Sequence, residues 1–506
     1  MTRTYITTTL PYVNARPHLG FGLELVQADV LARHRRLRGD EVRLQTGTDD
    51  NALKNVLAAE AAGVGVREFV DRNAEAFVAL AGTLGVAADD VIRTSRDPRH
   101  RAGVERLWRA CAASGDLYRR HYEGLYCVGC ERFYAEEELR EGRCPEHGTR
   151  PGLVAEENWF FRLSRYGERL RELIETGRLR IEPAERRNEV LGFIAGGLED
   201  LSVSRSQARA RGWGIPVPDD PDQVVYVWWD ALGNYVTALD FGTDGEAYER
   251  WWTGSDRRLH LLGKDVLRFH AVYWPAMLLS AGLPLPTEIY AHGHLTVANR
   301  KISKSAGTGV DPEALVAAYG VDPVRWWLLR EVPRSGDADF TVDRLIARTN
   351  DELVNGVGNL ISRVTAMVAK YRDGRVPETP ADAPALEAAC RQTPDLVDAA
   401  LADLDFRRAT AAVWAIVDAA NRHIDETRPW ALARRGAPAA TALDATLAAL
   451  VRACRTLARE LTPFLPTTAT AIAHRLTPAS DGRLRPQGHL FRRLSPAQPA
   501  SEAAPV

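Results

Sequence analysis

Lysine is scarce in this chain. Only five of its 65 basic residues are lysine (Lys54, Lys264, Lys301, Lys304 and Lys370); the rest are arginine, as in "RHRRLR" at 33–38. No apolar run reaches the roughly 18 residues of a bilayer span, which excludes an integral helical membrane protein. The N-terminus, "MTRTYITTTL", enters a strand-like segment directly, so no signal peptide is expected. An excess of either charge is lacking too. The net charge of −2 argues against wholesale coating of nucleic acid and leaves room for a local basic groove. Cysteines number six. Cys111, Cys390 and Cys454 stand alone among apolar residues and read as core. Cys127, Cys130 and Cys144 cluster, and in a chain with no secretion signal that pattern reads as a metal site rather than a disulfide framework.

What is present is enough for several domains: 506 residues predict two to four at roughly 150 residues each. The first hundred residues alternate strand and helix signals. "RTYITTTL" is β-branched and bounded by Pro11. Leu23, Val26, Val30 and Leu31 recur at helical spacing until Gly39. "EVRLQT" reads as the next strand, and an Ala-rich helical stretch follows "GTDDN". This βαβ pattern predicts a doubly wound parallel sheet with right-handed crossovers. Near residue 115 the pattern breaks, and residues 116–223 read as an irregular, turn-rich insertion carrying the cysteine cluster. Alternation resumes with "VVYVWWDA" (224–231), "RLHLLGKD" (258–265), a helix through Met277 and "TEIYAHG" (287–293). In "VDPEALVAAY" and "VDPVRWWLLR" an Asp is positioned to cap a helix whose first residue is Pro. From about 350 the chain reads as all helical. Phe406, Ala409, Val413, Ile416, Val417, Ala420 and Ile424 trace one apolar stripe of a separate helical bundle. The expected divisions are therefore 1–115 and 224–300 for the two halves of the sheet domain, 116–223 for the insertion and 301–349 for a loop region. Residues 350–480 form the helical domain and 481–506 an unstructured tail.

Four stretches carry chemistry. "PHLGFG" (17–22) lies between the first strand and first helix, where a doubly wound sheet binds ligands. Helix-start amides can hold a phosphate there, Gly20 permits close approach and His18 adds a donor. On the residues alone, a capping loop with a surface histidine fits as well. Asp49, at the end of the second strand, fits an ammonium or a ribose hydroxyl, or equally a helix N-cap. "KISKS" (301–305) sets two ammonium groups on a Ser/Gly loop. A lysine is a compact point charge on a flexible stem, suited to a phosphate whose charge moves, whereas arginine imposes a planar fork. A merely solvated loop in this chain would have used arginine. Finally, Cys127-x₂-Cys130 and Cys144-x₂-His147 give four soft ligands in two paired knuckles, the pattern of a closed, structural Zn²⁺ site. A redox Cys-x-x-Cys pair would leave Cys144 and His147 unexplained.

These motifs together resemble a known family. His-Leu-Gly early and Lys-Ile-Ser-Lys-Ser late resemble the two signatures of class I aminoacyl-tRNA synthetases. "TLPYVNARPHLG", "TGTDD", "EGLYCVGCERFY", "YVWWDALGNYV", "GKDVLRFHAVYWPAML" and "AHGHLTV" are similar to the methionyl-tRNA synthetase family over roughly residues 4 to 470. The resemblance implies a Rossmann-type α/β catalytic domain interrupted by a zinc-binding insertion and followed by an all-α anticodon-binding domain. It implies activation of L-methionine with ATP and Mg²⁺, then transfer to the 3′-terminal adenosine of tRNA(Met), initiator tRNA included. In that scheme His18, Lys301 and Lys304 are catalytic, with Gly20 and Ser303 also binding ATP. Leu10, Tyr12, Asp49, Trp228, Tyr235 and His270 would hold methionine. Asp49 would pair with its ammonium, while the aromatic walls suit a polarizable thioether. Asn359, Arg363 and Trp430 would read the anticodon by stacking and polar contacts. Cytoplasmic location and a monomer are expected, since no C-terminal dimerisation extension is recognisable.

Two departures stand out. Phe21 occupies the place of the first signature's second histidine, and loss of such a donor typically costs roughly 10²–10³ in rate. Asn51-Ala52 replaces the His-Gly that usually follows the aspartates, so Ala52 requires backbone that no glycine must supply. Four readings follow: an ordinary synthetase with compensated changes, an inhibitor-tolerant duplicate, a tRNA-binding paralogue, and an adenylate-forming ligase acting on a metabolite. The intact lysines, pocket aromatics and anticodon trio favour an active enzyme, and the trio argues against the metabolite ligase.

Overall fold

A computed structural model describes residues 2–129, 132–145, 148–243, 245–301, 309–380, 383–484 and 488–495. The chain divides into two compact units, the first of Met1–Ala28, Arg38–Gly82 and Val86–His292, the second of Asp29–Leu37, Thr83–Gly85 and Gly293–Val506.

The first unit is built on a six-stranded sheet. Across it run Asp90–Arg93, Glu41–Thr48, Arg3–Thr7, Arg257–Gly263, Glu288–His292 and Arg180–Glu182. Every neighbouring pair is parallel. Burial on both faces demands near-continuous apolar or β-branched strands, and Thr4, Tyr5, Ile6 and Thr7 are all at most 1% exposed. Strand order reverses at Arg3–Thr7, which has the second strand on one side and Arg257–Gly263 on the other. Ligands bind in the crevice that such a reversal opens beyond the strand carboxyl ends. The helix Leu19–Leu37 buries Leu23, Val26, Val30 and Leu31 as their spacing predicts, and Gly39 follows it with φ +88°.

The insertion is more regular than its sequence implies. Leu117–Cys127 and Gly152–Phe161 form a long antiparallel pair, flanked by Arg132–Tyr134 and Leu201–Ser202. Charged residues interrupt both long strands, at Arg119-Arg120 and Glu156-Glu157, so no long apolar run signals them. Arg180–Glu182, also from this stretch, forms the edge of the parallel sheet beside Glu288–His292.

"VVYVWWDA" does not form a strand of the parallel sheet. Asp220–Val225 pairs antiparallel with Ser204–Ser206, and Val227–Thr237 is a helix. Buried residues on nearly every face of that helix erase the helical period, so a strand and a helix read as one apolar run.

In the second unit Leu295–Val297 pairs with Arg300–Lys301 and Ala338–Asp339. Asp311 caps the helix Pro312–Tyr319, accepting the N–H groups of Glu313 and Ala314 at 2.9 and 3.3 Å. Asp322 does not cap. The next helix starts earlier, at Val321, from Gly320 at φ +92°, and the buried Asp322 carboxyl accepts the Thr468 hydroxyl instead. The C-terminal region is helical, with Asn359–Arg372, Pro384–Ala402, Phe406–Thr427 and Ala440–Leu461 as its long elements. The stripe from Phe406 to Ile424 is buried throughout. Cys111 and Cys454 are core, whereas Cys390 is only half-buried. Of the expected tail, Leu494 is held by Asn350, whose side chain both accepts its N–H and donates to its carbonyl at 2.8 Å. Residues 496–506 lie outside the described residues.

Candidate active site

Beyond the sheet's carboxyl edge lies an aromatic group drawn from three segments of the first unit. Trp228, in the first turn of the helix Val227–Thr237, stacks on Phe269 with ring centroids 3.7 Å apart. Its edge meets Tyr12 at 6.1 Å and His270 at 6.3 Å. Tyr235, seven residues further along the helix, hydrogen-bonds His270 Nε2 at 2.7 Å. The His270 Nδ1–H donates to the Val266 carbonyl at 2.9 Å, so Nε2 is left to accept the tyrosine hydroxyl. Burial pushes His270 down to about 4 and Tyr235 well above its usual 10. Both groups are therefore uncharged at neutral pH and satisfy one another. Beneath them a second histidine, His260, stacks on Tyr235 at 4.2 Å. It accepts from Trp274 Nε1 at 3.2 Å and reaches the Thr7 hydroxyl at 2.6 Å. Burial also holds it well below the ordinary imidazole value. The result is a wall of neutral, polarizable rings.

Asp49 ends the second strand and bridges to Tyr12, its N–H donating to the Pro11 carbonyl at 2.9 Å. Its side chain is not a helix cap. The helix Leu53–Ala61 starts from Ala52, at φ −71° and ψ 140°, an extended backbone that needs no glycine. Asp49 Oδ1 instead accepts the Asn51 N–H at 3.2 Å. The neighbouring Asp50 is buried, which raises its pKa despite the Arg93 charge and the Thr48 and Ser95 hydroxyls beside it. Leu10 is half-buried. It follows Thr9, whose N–H and hydroxyl donate to Glu24 at 2.6 and 2.7 Å.

His18 is half-buried, and its Nδ1 accepts the Gly20 N–H at 3.1 Å. That leaves Nε2 as the N–H donor. A Cβ on Gly20 would lie 3.0 Å from the imidazole, so glycine lets the ring fold against the helix start. Phe21 turns the other way. It is 9% exposed and meets Phe77 edge to face at 5.3 Å.

In the second unit, Lys301 closes a short antiparallel strand pair opposite Thr296, while Ser303 and Lys304 lie outside the described residues. Asn359 is exposed. Arg363 turns toward the helix Phe406–Thr427, 3.4 Å from Asn421 and 4.0 Å from Asp425. Trp430 follows that helix and is 37% exposed, among the few large apolar side chains so open.

Cys127 and Cys144 are buried together with Tyr134 in a small cluster of their own. Cys127 Sγ lies 3.8 Å from the Thr149 hydroxyl, and the Thr149 carbonyl accepts the Cys144 N–H at 2.8 Å. Cys130 and His147 lie outside the described residues, and within those residues no three His, Cys, Asp or Glu side chains gather as a metal site.

Sequence reasoning missed Glu24, Phe269 and His260. Each is fixed by partners far along the chain, which no local pattern encodes.

The parallel sheet is that of a class I synthetase: residues 4–152 and 136–365 match the family model for tRNA synthetases class I (M). The methionine–tRNA ligase of Brucella suis is 41% identical over 488 residues, 95% of this chain and 92% of that relative. That of Mycobacterium tuberculosis (strain CDC 1551) is 40% identical over 521 residues, 98% of both chains. A solved structure, Mycobacterium tuberculosis methionyl-tRNA synthetase in complex with methionyl-adenylate, matches with a TM-score of 0.92 at 39% identity, covering 97% of this chain and 100% of that one. The chain belongs to the methionyl-tRNA synthetases.

Proposed function

We propose that the chain activates L-methionine with ATP and passes it to the 3′-terminal adenosine of tRNA(Met), initiator tRNA included. The observation that carries the substrate assignment is the neutral Tyr235–His270 pair beside Trp228. An enclosure of uncharged, polarizable rings favours a thioether over a charged or strongly hydrated side chain. Asp49 takes the substrate ammonium. Tyr12 and Leu10 complete the amino-acid pocket.

The substrate carboxylate attacks the α-phosphate of ATP and pyrophosphate leaves. His18, donating from Nε2, and the amides around Gly20 bind the phosphates. Lys301, Ser303 and Lys304 stabilise the departing charge, in keeping with a chain that reserves lysine for few positions. Mg²⁺ accompanies ATP and neutralises its phosphates. The adenosine hydroxyl then attacks the adenylate carbonyl. Positioning and charge stabilisation supply most of the rate. Asn359, Arg363 and Trp430 read the anticodon, and the exposure of Trp430 supports a stacking role.

One Zn²⁺ fits the donor chemistry of Cys127, Cys130, Cys144 and His147, and the burial of Cys127 and Cys144 together supports it. The metal would tie the two knuckles of the insertion together without opening a coordination position to water. We extend the reading to a cytoplasmic monomer. Among the described residues no helix is long and apolar enough to cross a membrane.

His270→Ala tests the pocket. It removes the partner of a buried hydroxyl, so the methionine KM in pyrophosphate exchange should rise about tenfold or more, the equivalent of ~1.4 kcal/mol. The ATP KM should hold. An unchanged methionine KM would remove the pair from the substrate site.

A further inference from the structure

Asn51 joins two parts of the site that the sequence keeps far apart. Its backbone N–H donates to Asp49 Oδ1 at 3.2 Å, and its side-chain amide donates to Asp230 Oδ2 at 2.7 Å. The second oxygen of Asp230 meets His100 Nε2, and His100 Nδ1 lies 2.8 Å from the Thr237 hydroxyl. Asn51 is 9% exposed, and Asp230, His100 and Thr237 are fully buried.

Asp230 and Thr237 belong to the helix Val227–Thr237, which also carries Trp228 and Tyr235. Each pair is seven residues apart. A two-residue offset is about 200° around a helix, so the polar pair and the aromatic pair take opposite faces. His100, on the helix Pro98–Ala113, holds the polar face from behind. The loop that bears Asp49 is pinned elsewhere by Asn55, which donates to the Asp49 and Asp50 carbonyls at 3.1 and 3.0 Å. Those bonds fix the loop to its own helix. The bond to Asp230 crosses to the aromatic helix.

We propose that Asn51 is a positioning residue for the amino-acid substrate: through Asp230 and His100 it fixes the distance between the Asp49 carboxylate and the Trp228–Tyr235 wall. This rests on the reading of Asp49 as the ammonium partner. Both ends of one substrate are then held at a set spacing, which selects an amino acid with the right reach. Asn51 touches no reacting atom. A side chain with an N–H donor in its place preserves the device, and one without it does not.

The test is pyrophosphate exchange by the full chain with Asn51→Ala, Asn51→Ser and Asn51→His. Loss of the amide should raise the methionine KM about tenfold. The ATP KM should stay within roughly twofold, and inhibition by the des-amino analogue of methionine, which has no ammonium to misplace, should be unchanged. Asn51→His should restore most of the loss, because the imidazole supplies an N–H to Asp230. Asn51→Ser, which keeps a polar but shorter side chain, stands in if the alanine variant does not fold. An equal shift in the constants for methionine, ATP and the des-amino analogue means general loosening and overturns the proposal, as does an unchanged methionine KM. Asp49→Asn separates the two layers. If it leaves the methionine KM unchanged, the ammonium reading falls and the proposal with it. If it raises that KM while both Asn51→Ala and Asn51→Ser do not, the coupling alone is wrong.

Discussion

Phe21 meets a need that its position in the first signature does not announce. Its ring packs edge to face on Phe77 in the interior, an arrangement worth roughly 0.5–1.5 kcal/mol beyond the area it buries. Phe21→His would set a polar ring among apolar neighbours. We expect it to destabilise the protein by about 1–3 kcal/mol in denaturant titration and to bring no gain in pyrophosphate exchange. A faster His variant that is equally stable would mean that the missing donor limits the enzyme. The residue scale also marks the limit of sequence reading. The types at Asp49, Trp228 and His270 could be weighed beforehand, but not what they touch. Tyr235 and His270 are 35 positions apart, and it is their burial that keeps both neutral while the bond between them satisfies each. The acceptor of the Asn51 amide, Asp230, is 179 positions away.

At the scale of elements, legibility followed hydrophobic period. Strands buried on both faces and helices with one apolar stripe were readable. The charged antiparallel strands of the insertion and the apolar-all-round helix Val227–Thr237 were not, because burial there is set by neighbours rather than by period. Capping behaved the same way. Asp311 and Asp322 sit in matching Val-Asp-Pro motifs, yet only Asp311 caps, because the second helix starts from Gly320, two residues sooner. Gly47 shows a strand-level constraint. A Cβ there would come 2.0 Å from the Ile92 carbonyl oxygen of the adjacent strand, and backbone cannot yield as a flexible side chain does. Gly47→Ala should therefore cost about 3 kcal/mol and, by spreading these strands, should separate Asp50 from Arg93. Urea titration together with the methionine KM reads both effects, and a variant of wild-type stability would contradict the packing described.

At the scale of the molecule, the parallel-sheet class, the helical C-terminal region and the family are all legible in the sequence, because many independent motifs keep their order along the chain. The proposed zinc site bears on how the insertion is held. Elemental analysis of the purified protein should find one zinc per chain. Cys144→Ser should release it and lower the melting temperature. A metal-free wild type of unchanged stability would leave the buried cysteines as ordinary core. Methionine activation by this chain is measured most directly by amino-acid-dependent exchange of labelled pyrophosphate into ATP, followed by charging of initiator tRNA. We expect exchange with methionine in preference to other amino acids, and charged tRNA once it is added. Exchange without charging would point to a metabolite ligase, and no methionine-dependent exchange would contradict the account outright.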